Sequence, residues 1–139
     1  MPENISHTLL AVAGTLLGVA FGILGTYFVS VHLARKHTKT LAGLRLHDAF
    51  APEIFKIKTL NEDTRYQAPD ILRAAFEKHY MAVNQFDFLL NEKEHIAFTK
   101  AWEEYISRDN DKENRFDKYM VAPEEAIDRI YAILEFTKH

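Results

Sequence analysis

Histidine is the residue type in this chain with the most obvious capacity for chemistry. The seven histidines are His7, His32, His37, His47, His79, His95 and His139. A helical zinc site needs two histidines four residues apart with an acid between them, and no two of these have that spacing, so we expect no metal site. His79 falls on the apolar face of a helical pattern, and we interpret it as a core histidine with a hydrogen-bond partner. A cleft beside it, with a carboxylate in reach, would instead favour an enzyme or a ligand sensor.

The other reactive residue types form no catalytic arrangement along the chain. Neighbouring acids such as Glu103-Glu104 and Glu124-Glu125 do not face each other on a helix, so they cannot act as a carboxylate pair. The chain has no cysteine, which excludes a thiol nucleophile and a thiolate metal site. All five glycines lie at or before Gly43, so no glycine-rich phosphate loop is present. We therefore expect no enzyme activity, no catalytic residue and no cofactor.

The elements that must position these residues begin with a segment that carries no charge. Between Glu3 and Arg35 there is no Asp, Glu, Lys or Arg. A bilayer core of roughly 30 Å needs about 20 helical residues, which this segment exceeds. A cleaved signal peptide would need a basic start and a shorter apolar core. We predict a retained transmembrane helix over 9–34, preceded by a short extracytoplasmic N-terminus over 1–8.

The charges that flank this segment predict its orientation in the membrane. Four basic residues follow it before any acid: Arg35, Lys36, Lys39 and Arg45. The N-terminal flank holds Glu3 and no basic residue. Because basic residues are retained on the cytoplasmic side, we expect the C-terminal domain in the cytoplasm and the N-terminus outside. We predict a basic juxtamembrane helix over 35–50, whose four cations contact anionic lipid headgroups.

Small residues form a stripe along one face of the predicted transmembrane helix. The stripe consists of Ala11, Gly14, Gly18, Gly22 and Gly25. A spacing of four residues keeps side chains on one face of a helix, and small residues let a second helix approach closely in lipid. We expect this stripe to be a helix–helix interface, either with another membrane protein or with a second copy of the chain.

The remainder of the chain is predicted to be entirely helical. We expect an all-α protein in which the transmembrane helix is followed by a small three- to four-helix bundle, the cytoplasmic helical domain of residues 51–139. Long helices over 65–90 and 92–107 are joined by almost no linker, so they should pack as an antiparallel hairpin. A last helix should start at Pro123 and close over them.

Local signals predict where these helices start and stop. Ala51 precedes Pro52 and is biased away from helical dihedral angles, so we expect a break there and a new short helix from Pro52. Thr64 with Gln67, and Asn91 with Glu94, have the spacing of a capping box. Residues 108–115 are strongly polar and predict a loop.

The charge of the predicted bundle excludes nucleic acid as a partner. Four of the 17 basic residues precede Asp48, so 13 remain against 19 acids over residues 48–139, a net charge of −6. A nucleic-acid-binding domain needs a basic patch or stripe.

Three motifs in the predicted bundle carry a resemblance to a known group. They are Asp48-Ala49-Phe50-Ala51-Pro52-Glu53, Lys78-His79 with Ala82-Val83, and Phe98-Thr99-Lys100-Ala101-Trp102-Glu103-Glu104-Tyr105. Over residues 48–136 the chain resembles small uncharacterised bacterial single-pass membrane proteins with a helical cytoplasmic domain. The resemblance implies a bacterial origin, and hence the inner membrane, but no activity and no functional residue.

These observations predict an interaction protein. We expect an accessory or adaptor subunit of a larger inner-membrane assembly, with the small-residue stripe against a partner helix and the bundle docking a soluble protein. The alternative is a self-associating membrane protein that forms a homo-oligomer through the glycine stripe.

Overall fold

The computed structural model describes residues 3–106 and 115–138, with side chains described at Thr15 and from Gly18 onward. Within these residues the protein is all-α, with no strand. Its four α-helices are α1 (Glu3–Lys58), α2 (Ala68–Asp87), α3 (Glu92–Ile106) and α4 (Pro123–Leu134). Three short 3₁₀ helices cover Arg65–Gln67, Asp117–Met120 and Glu135–Lys138. The chain divides into two units, Met1–Thr38 and Lys39–His139.

The first unit consists of the N-terminal part of α1. From Gly18 to Thr38 every side chain of this part is exposed. Among the described residues one segment, Gly18–Lys58, is long and apolar enough to cross a membrane, and none of its most apolar 18-residue window is buried. The prediction of an uncharged apolar helix is therefore confirmed in its helical and apolar character.

The second unit is a helical bundle built around one aromatic and aliphatic core. Every α-helix contributes buried residues at spacings of three and four: Leu46, Phe50, Ile54 and Ile57 from α1, Leu72, Ala75, Val83 and Phe86 from α2, Phe98, Trp102 and Tyr105 from α3, and Ala126, Ile130, Ile133 and Leu134 from α4. Burying one large apolar side chain contributes roughly 1.5–3 kcal/mol, so these stripes hold the helices together.

The contacts between helices confirm the predicted antiparallel hairpin. The ring centroids of Phe86 and Phe98 lie 5.4 Å apart, and those of His79 and Tyr105 lie 6.1 Å apart. The last turn of α2 therefore meets the first half of α3, while the middle of α2 meets the end of α3. The segment after α4 also reaches the first half of α3, where the ring centroids of Phe98 and Phe136 lie 5.4 Å apart.

Two predicted helix starts are confirmed. Asn91 and Glu94 form the reciprocal capping pair. The backbone N–H of Glu94 donates to Asn91 Oδ1 over 3.0 Å, and the backbone N–H of Asn91 donates to Glu94 Oε2 over 3.1 Å. Pro123 is the first residue of α4. The predicted loop over 108–115 lies outside the described residues except for Arg115.

The predicted break at Ala51 is wrong, because α1 continues through Pro52 to Lys58. Phe50 before the proline, and Ile54 and Ile57 after it, are buried in the same core. Their burial is worth roughly 1.5–3 kcal/mol each. This exceeds the ~3 kcal/mol that a proline inside a helix costs. The proline itself is exposed, so its ring disturbs no packing.

The capping box predicted for Thr64 and Gln67 is also wrong. Thr64 makes no side-chain cap to the following turn. It pairs instead with Asn61. The backbone N–H of Asn61 donates to Thr64 Oγ1 over 2.9 Å, and the backbone N–H of Thr64 donates to Asn61 Oδ1 over 3.0 Å. The same reciprocal chemistry therefore closes the turn between α1 and α2, three residues earlier than the sequence pattern indicated.

Candidate functional site

Three helices each bring one polar side chain to a buried cluster, which we call the Glu53 cluster: Glu53, His79 and Tyr105. Glu53 lies on the same face of α1 as Phe50 and Ile57, so the packing that buries these apolar residues also buries the carboxyl group. All three members of the cluster are buried, with no more than 3% of any one residue exposed. A buried charged group of this kind must be paired and hydrogen-bonded to be tolerated.

The imidazole of His79 joins the other two members of the cluster. Its Nε2 lies 3.3 Å from Glu53 Oε2, and its Nδ1 lies 3.1 Å from the Tyr105 hydroxyl oxygen. An ionised carboxylate only accepts hydrogen bonds, so we infer that Nε2–H donates to Glu53 and that the Tyr105 hydroxyl donates to Nδ1. Phe50 covers the ring at a centroid distance of 4.0 Å and an interplanar angle of 24°. The imidazole is thus fixed in one tautomer and one orientation.

Two lysines compensate the charge of Glu53 from the surface. Lys78 Nζ lies 2.9 Å from Glu53 Oε2, and Lys56 Nζ lies 3.5 Å from Oε1. Both ammonium groups are partly exposed, so they remain hydrated while they neutralise the buried carboxylate. Throughout the described part of the chain, no buried side-chain nitrogen or oxygen lacks a hydrogen-bond partner. The cluster is therefore fully satisfied.

Burial sets the protonation states within the cluster. Burial lowers the pKa of His79 to about 4, although the hydrogen bond and charge of Glu53 act in the opposite direction. Burial alone would raise the pKa of Glu53, but the hydrogen bonds from Lys78 and His79 outweigh it and hold that pKa below its ordinary range. At neutral pH the cluster therefore contains a neutral imidazole and a charged carboxylate.

A second tyrosine extends the network to the segment after α3. The Tyr119 hydroxyl donates to the backbone oxygen of Tyr105 over 2.6 Å. Burial raises the pKa of Tyr105 well above its ordinary value, and it also raises the pKa of Tyr119. Both phenols consequently stay protonated and act as hydrogen-bond donors at any physiological pH.

A groove opens beside the cluster, between the end of α1 and the first half of α2. Its volume is about 620 Å³, and its polar lining residues are Glu53, Lys56, Gln67, Asp70 and Lys78. His79 is not part of this lining. From the sequence, an enzyme or a ligand sensor would need two features, a carboxylate within reach of His79 and a cleft beside it. The first is met by Glu53, whereas the groove is lined by Glu53 and not by the imidazole. Hydrogen bonds within the cluster join α1, α2 and α3, and Glu53 is the one member of the cluster that lines the groove.

Three of the residues predicted for the helix–helix interface, Gly18, Gly22 and Gly25, are exposed within one chain. A Cβ atom added at Gly18, Gly22 or Gly25 would have no neighbouring segment or side chain within 4 Å. The side chains of Ala11 and Gly14 lie outside the described residues.

The four predicted headgroup contacts divide into two kinds. Arg35, Lys36 and Arg45 are exposed on α1. Lys39 instead forms an ion pair of 3.0 Å with Glu94 at the start of α3. This contact ties the first turn of the second unit to the α2–α3 hairpin.

Sequence reasoning missed Glu53 as a member of any site. The signal was present as a spacing of three and four residues that joins Leu46, Phe50, Glu53 and Ile57 on one helical face. The expected break at Pro52 cut this face in two, so the carboxylate was assigned to no buried stripe.

No family model matches this chain, and neither a curated protein nor a solved structure matches it.

Proposed function

We propose that this chain is a single-pass protein of the bacterial inner membrane that serves as an accessory or adaptor subunit of a larger membrane assembly. The observation that carries the proposal is the composition of α1. The stretch of α1 from Asn4 to Ala34 is uncharged and largely apolar, and its described side chains are exposed, whereas the C-terminal part of α1 contributes Leu46, Phe50 and Ile54 to the core of the bundle. One helix thus serves as membrane segment and as a structural member of the folded domain.

Membrane insertion is supported by the side chains that the first unit leaves uncovered. The large apolar ones with at least 40% of their surface exposed are Val19, Phe21, Ile23, Leu24, Tyr27, Phe28, Val29, Val31 and Leu33. A contiguous apolar surface of this extent is unfavourable in water and marks an interaction with lipid or with another protein. Its length and lack of charge favour lipid.

The cytoplasmic location of the bundle is supported by Arg35, Lys36 and Arg45, which follow the apolar stretch. We predict that a cysteine at Val121, a residue 78% exposed in a chain without other cysteines, reacts with a membrane-impermeant maleimide only after cell lysis. A cysteine placed at Asn4, near the N-terminal end of α1, should react in intact cells. Labelling of the Val121→Cys variant in intact cells would reverse the proposed orientation.

An interaction role is favoured over catalysis by the state of the Glu53 cluster. Its imidazole is enclosed by Phe50, Tyr105 and Glu53, and its hydrogen bonds are all made within the domain. A general base needs to be within hydrogen-bond reach of the proton that it removes from a substrate. We therefore assign the domain to docking, with a soluble protein as its partner, and α1 to contact with lipid and with another membrane helix.

The small-residue stripe provides a direct test of assembly. Because Gly18 has open space around it within one chain, isoleucine fits there without an internal clash, and a change in complex size reports on a contact outside the chain. We predict that Gly18→Ile releases the partner from a complex extracted in mild detergent and weighed by native mass spectrometry. Ala20→Ile, on another face of the same helix, should leave the complex intact.

The composition of the wild-type complex separates the two forms of the proposal. A second protein at fixed stoichiometry identifies an accessory subunit, whereas a multiple of 16.1 kDa identifies the homo-oligomer that the stripe also supports. A monomer in the extract, unaffected by Gly18→Ile, would contradict both.

A further inference from the structure

We draw no further inference here: the strongest candidate, the groove between the end of α1 and the first half of α2, presents Lys56 and Lys78, which both already pair with Glu53, and nothing in the structure shows what would occupy it.

Discussion

Acidification from pH 6.5 to pH 4 is expected to lower the free energy of unfolding of the helical domain by on the order of 3 kcal/mol. The cause is His79, whose imidazole is buried and neutral in the Glu53 cluster and whose folded-state pKa lies at about 4. In the unfolded chain the same imidazole is hydrated and takes up a proton near its ordinary pKa of 6.5. Between these values only the unfolded state binds the proton, so acid favours unfolding.

Glu53 acts in the same direction at lower pH. Its pKa is held below the ordinary 4.5 because Lys78 and His79 donate hydrogen bonds to it, despite the opposing effect of burial. The stability that it contributes is present above pH 4.5 and is lost as the pH falls through its folded-state pKa. The loss between pH 6.5 and 4.5 is therefore specific to His79, and a further loss below 4.5 includes Glu53.

The measurement is urea unfolding of the full chain in nonionic detergent, followed by the fluorescence of Trp102 at a series of pH values. His79→Gln keeps a hydrogen-bonding side chain but removes the titration, so it should flatten the dependence above pH 4.5. His47→Gln replaces an exposed histidine of α1, and since His79 is still present, the dependence should persist. A wild-type stability that is constant from pH 7 to 4.5 would contradict the buried neutral state of His79.

Replacing Phe50 with alanine is expected to destabilise the domain by about 3–5 kcal/mol. Phe50 is fully buried, stacks on His79 at 4.0 Å and meets Tyr105 edge-on at 5.7 Å. Its removal leaves a cavity against the imidazole and exposes the Glu53 cluster to water. Because α1 docks on the bundle through this ring, the loss should separate the end of α1 from α2.

Phe55→Ala is the matched control for this substitution. Phe55 is five residues further along α1 and 70% exposed, so its replacement should change the free energy of unfolding by less than about 0.5 kcal/mol. Both variants are compared with the wild type by the same urea titration at pH 7. Equal effects of Phe50→Ala and Phe55→Ala would mean that the C-terminal part of α1 does not pack against the bundle.

The sequence by itself determined the helical character of the chain, the starts of α3 and α4, and most of the faces that the helices bury. Asn91 and Glu94 lie three residues apart, and Pro123 begins its helix, so each signal is complete within one turn. The uncharged stretch before Arg35 was also evident from the sequence, because the absence of charged residues can be read without knowing any tertiary contact. Where two local rules competed, at Pro52, the sequence pattern favoured a break. The core contacts of residues on both sides of the proline decided against it.

Only the tertiary structure decided that Glu53, His79 and Tyr105 meet. Each hydrogen bond of this cluster joins residues 26 positions apart on different helices, so no local spacing encodes it. The buried carboxylate of Glu53 is tolerated because packing also brings Lys78 and the imidazole of His79 to it. Without these partners, the free-energy cost of removing its charge from water would exceed the stabilisation gained by burying the apolar residues around it. Local hydrogen bonds and the spacing of apolar side chains determine the helices. The packing of those helices determines which polar groups are buried and which apolar side chains remain exposed.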